Sequence, residues 1–172
     1  PVNDDFSFAS VAENCIIDKY GRIGARKGIK TVTSSLTPLG SSAGLESVGE
    51  FLDASGNNLI FGGGNNKIFK GTSTNTVLTE VSLPGGYSVS ANNWKIVNFN
   101  NSAYFFQQGY EPLVYSNSAG LQKMSAVTSA AGTPPQANEV IGAYGRLWAA
   151  DFATDKSTVY WSDLLGGHKW TG

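Results

Sequence analysis

The feature of this sequence that most constrains its fold is an internal repeat of about 45 residues. Each repeat contains short apolar segments rich in β-branched and aromatic residues, separated by polar or glycine-containing turns. Aromatic residues recur at a constant spacing in the segment that corresponds to a third strand: Phe69, Tyr115 and Trp161. The preceding segment shows a second constant spacing, at Phe61, Phe105 and Ala149. A period of this length with four strands is typical of a β-propeller blade.

The repeat predicts an all-β fold, a partial β-propeller of four-stranded antiparallel blades. The blades are expected at about residues 45–90, 91–135 and 136–172, and these together form the domain 45–172. The fourth strands of the first two blades are predicted at residues 77–81 and 121–124. No segment carries the 3.6-residue apolar stripe of a helix. A β-sandwich with evenly spaced hairpins remains the alternative architecture.

Residues 1–44 do not fit the repeat and are predicted to form an N-terminal strand, an extended arm and a linker. Cys15-Ile-Ile is interpreted as a short strand and Tyr20-Gly21 as a turn. The Ser/Thr/Gly-rich segment 33–44, which contains Pro38, is interpreted as the linker. Cys15 is the only cysteine, and we expect it to be buried and unreactive.

The third repeat is incomplete, because only His168-Lys-Trp170 follows where a fourth strand is expected. An open arc of blades leaves apolar side chains uncovered. We therefore expect the remainder of a longer parent chain, or other chains, to complete the fold. One side of Val159, Trp161 and Leu147 should be uncovered in the chain alone. Three of the four tryptophans, Trp94, Trp148 and Trp161, are predicted to be largely buried, with Phe61 and Phe105 packed between adjacent blades.

The formal net charge of −1 conceals a local cluster of cations near the N-terminus. Residues 19–30 contain five basic residues and no acid. Such a cluster could bind phosphate or pair with acids on a neighbouring subunit or element. Because stacking aromatics are not interleaved with it, we favour the second role. The candidate subunit-contact residues are Arg22, Arg26, Lys27 and Lys30.

No motif predicts catalysis, a metal site or a cofactor, so the sequence favours a protein that is not an enzyme. His168 is the only histidine, and no nucleophile-elbow sequence supplies it with a serine. Gly62-Gly-Gly-Asn-Asn lacks the lysine and hydroxyl of a phosphate-binding loop and is predicted to be a hairpin loop. Asp151 and Asp163 could form a glycosidase pair, but solvated carboxylates at strand ends are the commoner case.

Several segments resemble one known family. Residues 12–28, AENCIIDKYGRIGARKG, look like the start of bacteriophage (podovirus-type) tail nozzle proteins, also called tail tubular protein B. Residues 98–115 and 145–163 resemble blades of the same proteins, and Gly145-Arg-Leu-Trp-Ala-Ala with Val159-Tyr-Trp-Ser-Asp is the most similar part. The sequence departs from the family at Arg26-Lys27-Gly28, where the family has arginine–proline–glycine.

The resemblance implies a structural virion protein located in the tail. It implies a homo-oligomeric ring, usually of six copies, that contacts the portal, the adaptor and other tail proteins. Genomic DNA would pass through its channel during ejection without specific binding. The rival hypotheses are a carbohydrate-binding or glycan-cleaving propeller and a general protein-interaction propeller.

Overall fold

The computed structural model describes residues 15–26, 44–64, 66–72, 78–89 and 93–171. These residues contain fifteen strands and one turn of 3-10 helix, Met124–Ala126, which confirms the predicted all-β class. The chain divides into two compact units, Pro1–Thr31 and Val32–Gly172.

The first unit contains an antiparallel hairpin of β1 (Cys15–Ile17) and β2 (Ile23–Ala25). The Asp18 carboxylate accepts hydrogen bonds from the backbone N–H of Tyr20 at 2.8 Å and of Arg22 at 3.0 Å. This side chain therefore stabilises the predicted turn. Cys15 is only partly buried, so the expectation of a buried thiol was wrong.

The second unit contains three antiparallel meander sheets in chain order and one small parallel pair. Sheet A consists of β3 (Ser47–Leu52), β4 (Asn58–Gly64), β5 (Lys67–Thr72) and β6 (Thr79–Val81). Sheet B consists of β7 (Lys95–Phe99), β8 (Ser102–Phe106), β9 (Leu113–Ser116) and β10 (Gly120–Lys123). Sheet C consists of β12 (Ala137–Ala143), β13 (Arg146–Phe152) and β14 (Val159–Trp161). The parallel pair consists of β11 (Ala131–Gly132) and β15 (Lys169–Trp170).

Two of the hairpins use two-residue turns whose central residues both have positive φ. Asn100 and Asn101, with φ of 43° and 62°, connect β7 to β8. Tyr144 and Gly145, with φ of 53° and 71°, connect β12 to β13. Turns of this kind match the twist of the flanking strands, and asparagine and glycine are the residues that adopt them most easily.

Sheet B lies between two hydrophobic cores, because the side chains of β8 alternate between its faces. Ala103 and Phe105 belong to core 1, which is shared with sheet A. Tyr104 and Phe106 belong to core 2, which is shared with sheet C. All four residues are at most 1% exposed. Burial in core 2 raises the pKa of the Tyr104 phenol to about 12.

Core 1 is built mainly from aromatic rings of sheets A and B. The rings of Phe61 and Phe105 meet edge to face, with centroids 5.2 Å apart, and the Phe61 and Tyr115 centroids lie 4.9 Å apart. Such edge-to-face pairs contribute about 0.5–1.5 kcal/mol beyond the burial of their area. The predicted packing of Phe61 and Phe105 between sheets is thus confirmed.

Glycines allow the close approach of sheets A and B. A Cβ atom on Gly49 would lie 2.6 Å from Ile96 Cγ2, and one on Gly63 would lie 2.9 Å from Trp94 Cβ. Gly62, Gly63 and Gly64 are accordingly part of β4, and the prediction that they form a hairpin loop was wrong. Side chains of Leu45 and Trp94 occupy the space that a Cβ on Gly62 or Gly63 would need.

The repeat predicted that the last residues start a fourth strand of sheet C, and this prediction was wrong. Lys169–Trp170 instead pairs in parallel with Ala131–Gly132. The Trp170 indole is 6% exposed in core 2, and its Nε1 donates to Met124 Sδ at 3.2 Å and to the Gly167 carbonyl at 3.1 Å. Burial of this indole draws the segment away from the edge of β14.

The predicted burial of the tryptophans holds for only part of the set. Trp94 is 1% exposed, as expected, and Trp148 is half-buried. Trp161 is 44% exposed, so its predicted burial was wrong. Leu147, predicted to have an uncovered side, is fully buried because it faces sheet B, whereas Val159 is 49% exposed, as expected.

The contact of Gly63 with Trp94 predicts the effect of adding a single methyl group. Gly63→Ala should lower the free energy of unfolding by about 1–3 kcal/mol, because the new Cβ overlaps a buried indole. Gly85→Ala is the matched control, since its Cβ would meet nothing within 4 Å. Urea denaturation followed by tryptophan fluorescence measures both, and equal stability of the two variants would contradict the proposed close packing.

Candidate interaction surfaces

The face of sheet C that points away from sheet B is apolar and uncovered. Its residues occupy two cross-strand rows, Ile141–Trp148–Trp161 and Glu139–Ala150–Val159. We call these six residues the outer face of sheet C. Ile141 is 62% exposed and, like Trp161 and Val159, is a large hydrophobic side chain in contact with solvent. Contiguous exposed apolar surface of this kind marks an interaction site more often than isolated exposed residues do.

The corresponding position on sheet B shows what normally covers such a face. The row Val97–Tyr104–Val114 occupies the first three strands of sheet B, as Ile141–Trp148–Trp161 does in sheet C. Tyr104 and Val114 are 1% and 3% exposed because sheet C packs over them. The outer face of sheet C therefore resembles, in composition, a face that another sheet covers, but its side chains are exposed to solvent.

The two tryptophans of this face are held in defined orientations. Their ring centroids lie 5.9 Å apart at an interplanar angle of 43°. The Trp148 Nε1 donates a 3.0 Å hydrogen bond to the carbonyl of Ala143. Because this bond satisfies the polar group of Trp148, the surface presented by that indole is apolar and ordered.

The opposite end of the stack has a second uncovered face, on sheet A. Val48 and Leu52 of β3 are 67% and 53% exposed. They lie on the same side of the sheet as Glu50, which is paired across the strands with Ile60. Both terminal sheets thus expose apolar side chains on the sides that face away from sheet B.

The cations predicted to contact another subunit are only partly described. Arg22 Nε and Nη2 donate to the carboxylate of Asp18 at 2.8 and 2.7 Å, within the same hairpin. The pKa of Asp18 is lowered, first by the backbone hydrogen bond from Arg22 and then by its side chain. Arg26 is exposed, whereas Lys27 and Lys30 lie outside the described residues. Whether these four residues contact a neighbouring subunit stays a prediction.

The hairpin also exposes apolar side chains that sequence reasoning did not single out as a surface. Ile16, Ile17 and Ile23 are 52%, 67% and 64% exposed. An isolated two-stranded hairpin is marginally stable in water. The short apolar segments on both sides of Tyr20-Gly21 were the available signal for this surface.

The residues considered for catalysis have other partners. His168 Nε2 and Ser129 Oγ are 2.7 Å apart, but within the described part of the chain no carboxylate hydrogen-bonds to His168. Asp151 accepts from Asn138 and Lys156, each at 2.6 Å, whereas Asp163 accepts from Thr171 at 2.8 Å. Over the described ranges, no group of three metal-ligating side chains occurs, and no helix could span a membrane.

Neither models of protein families nor curated proteins match this sequence.

The environment of His168 predicts a pH dependence of stability. Burial, followed by the charge of Lys169, lowers the pKa of His168 from its usual 6.5. The stability due to neutral His168 is therefore complete above pH 6.5 and is lost as the pH falls through the lower, folded pKa. The melting temperature should fall between pH 7.5 and pH 5.5, and His168→Gln should remove that fall. An equal fall in the variant would show that another group is responsible.

Proposed function

We propose that this chain is a structural subunit of a bacteriophage tail nozzle, in which its sheets are blades of a β-propeller that surrounds a channel for DNA. The observation that carries this proposal is the stacking of three meander sheets in chain order with an apolar face left open on sheet C. A stack of this kind gains stability from each further sheet that covers an open face.

The contacts between neighbouring sheets support the propeller interpretation. The first strands of successive sheets lie side by side: β3 contacts β7, and β7 contacts β12. A Cβ on Gly142 of β12 would lie 3.4 Å from the Phe99 ring of β7, as Gly49 of β3 closely approaches Ile96. In a propeller, the first strand of each blade lies next to the central channel, so that neighbouring first strands are close.

The placement in a phage tail follows from the resemblance of the sequence to tail nozzle proteins. In that setting, identical chains form a ring, usually of six copies, located below the portal and adaptor. The β1–β2 hairpin, with exposed isoleucines and Arg26, provides a surface for packing against a neighbouring subunit. Assembly would supply the apolar cover that a marginally stable hairpin requires.

The open face of sheet C predicts that residues 1–172, made as a separate polypeptide, do not form a stable monomer. Covering each large apolar side chain contributes about 1.5–3 kcal/mol, a sizeable share of a domain's net stability of about 5–15 kcal/mol. Size-exclusion chromatography with light scattering should detect association. A sharp cooperative melt from a monodisperse monomer would contradict the open stack and favour a self-contained sandwich.

A pair of substitutions locates that association on sheet C. Trp161→Ser should reduce it, because this indole is a large exposed apolar part of the outer face. Tyr144→Ser is the matched control: it also removes an exposed aromatic ring, but from the β12–β13 turn, where Tyr144 is 91% exposed. Equal association of the two variants would place the contact elsewhere.

The ring itself is tested by negative-stain electron microscopy of the full-length protein. Rings with a central hole are the expected result. Mass spectrometry of purified virion tails should also detect the protein. Isolated compact particles that are absent from virions would overturn the nozzle assignment.

DNA that slides through a channel requires walls that do not hold phosphates tightly. Each neutralised phosphate adds a salt-dependent contribution to affinity. We therefore expect the protein to bind DNA weakly and without sequence preference at physiological salt, despite Arg22 and Arg26. Fluorescence anisotropy with duplexes of unrelated sequence measures this, and tight binding to one sequence would contradict the proposal.

A further inference from the structure

A polar cleft lies between sheets A and B, beside core 1. Its volume is about 520 Å³, within the range of small-molecule sites in proteins. Lys70 and Thr72 of β5 form one wall, and Tyr115 of β9 faces them. The β3–β4 loop and the turn after β9 complete the lining with asparagines, namely Asn57, Asn58 and Asn117.

Lys70, at the margin of the hydrophobic core, has no carboxylate partner among the residues that the structure describes. It is paired across the strands with Phe61, so it lies on the face of sheet A that carries core 1. Its Nζ donates to Tyr115 Oη at 3.4 Å and lies 5.3 Å from the centroid of that ring. Among the described residues, no carboxylate lies within 4.0 Å of this ammonium, whereas Lys67 in the same strand pairs with Glu80 at 2.7 Å.

The asparagines present hydrogen-bond acceptors on the same cleft. The Asp53 carboxylate accepts hydrogen bonds from the Nδ2 groups of both Asn57 and Asn117. Their Oδ1 atoms are thus left as acceptors for another group. The Asn58 side chain, by contrast, donates to Glu50 and lies on the opposite face of sheet A.

Asp53 is not an ion-pair partner of Lys70, because its carboxylate oxygens already accept hydrogen bonds from other groups. Besides the two side-chain amides, it accepts the backbone N–H of Ser55 at 2.9 Å and of Asn57 at 2.7 Å. These bonds, of which the side-chain bond from Asn57 is the largest cause, lower the pKa of Asp53. Asp53 therefore acts as a positioning residue for the two amides.

We propose that this cleft binds an acidic monosaccharide such as a hexuronic acid. The sugar carboxylate pairs with the Lys70 ammonium and accepts from the Tyr115 hydroxyl. The sugar hydroxyls donate to the oxygens of Asn57 and Asn117. A phosphate dianion has no hydrogens to donate to these amide oxygens, and a neutral sugar leaves the ammonium unpaired. The combination of one cation with two acceptors therefore selects a ligand that has both a carboxylate and hydroxyls.

Saturation-transfer NMR tests this proposal on the full chain, in whatever state of association it adopts. Glucuronate is the probe, and glucose and inorganic phosphate are the comparisons. We expect saturation transfer to glucuronate, with glucose bound about tenfold more weakly, a difference of about 1.4 kcal/mol. Phosphate should displace glucuronate only at a large excess. Equal binding of glucose, efficient displacement by phosphate, or the absence of any signal would each overturn the proposal.

Substitutions connect the signal to the cleft. Lys70→Met should weaken glucuronate binding about tenfold or more, whereas Lys67→Met, in the same strand, should leave it unchanged. Asn117→Ala is a second variant, in an exposed turn, and the loss of its acceptor should weaken glucuronate binding. Glucuronate binding that survives both Lys70→Met and Asn117→Ala would overturn the assignment. These measurements do not depend on ring formation or on a role in a phage tail.

Discussion

The packing of sheet B between two other sheets is the interaction on which the rest of the structure depends. Strand β8 is buried on both faces, with Phe105 in core 1 and Tyr104 in core 2. A single sheet can do this only if sheets A and C are both present. Loss of either one would expose aromatic rings that contribute much of the stability of the unit.

This packing also explains why glycines of one sheet lie opposite large side chains of the next. Gly49 and Gly63 of sheet A lie against Ile96 and Trp94, whose bulk fills the space that a side chain on β3 or β4 would occupy. Small residues on one sheet thus permit large ones on the next, as close-packed interiors require. At the ends of the stack, by contrast, large side chains such as Trp161 and Val48 are exposed.

The candidate surfaces differ in how far the residues alone could predict them. Val159 was expected to have an uncovered side, and it is exposed in the structure. The Lys70 cleft has no signature in the sequence, because its walls come from β5, β9 and two loops that are distant along the chain. The absence of a carboxylate partner for Lys70 can be recognised only when the neighbouring strands are in place.

The sequence by itself determined the all-β class, the positions of most strands and turns, and the alternation of apolar side chains, because these depend on local preferences and on the two-residue period of a strand. Only the tertiary structure decided which face of each strand is covered. It placed Leu147 inside and Trp161 outside, included Gly62–Gly64 in a strand, and paired Lys169–Trp170 with β11. These outcomes depend on which neighbour occupies the adjacent space, and a local pattern holds no information about that neighbour.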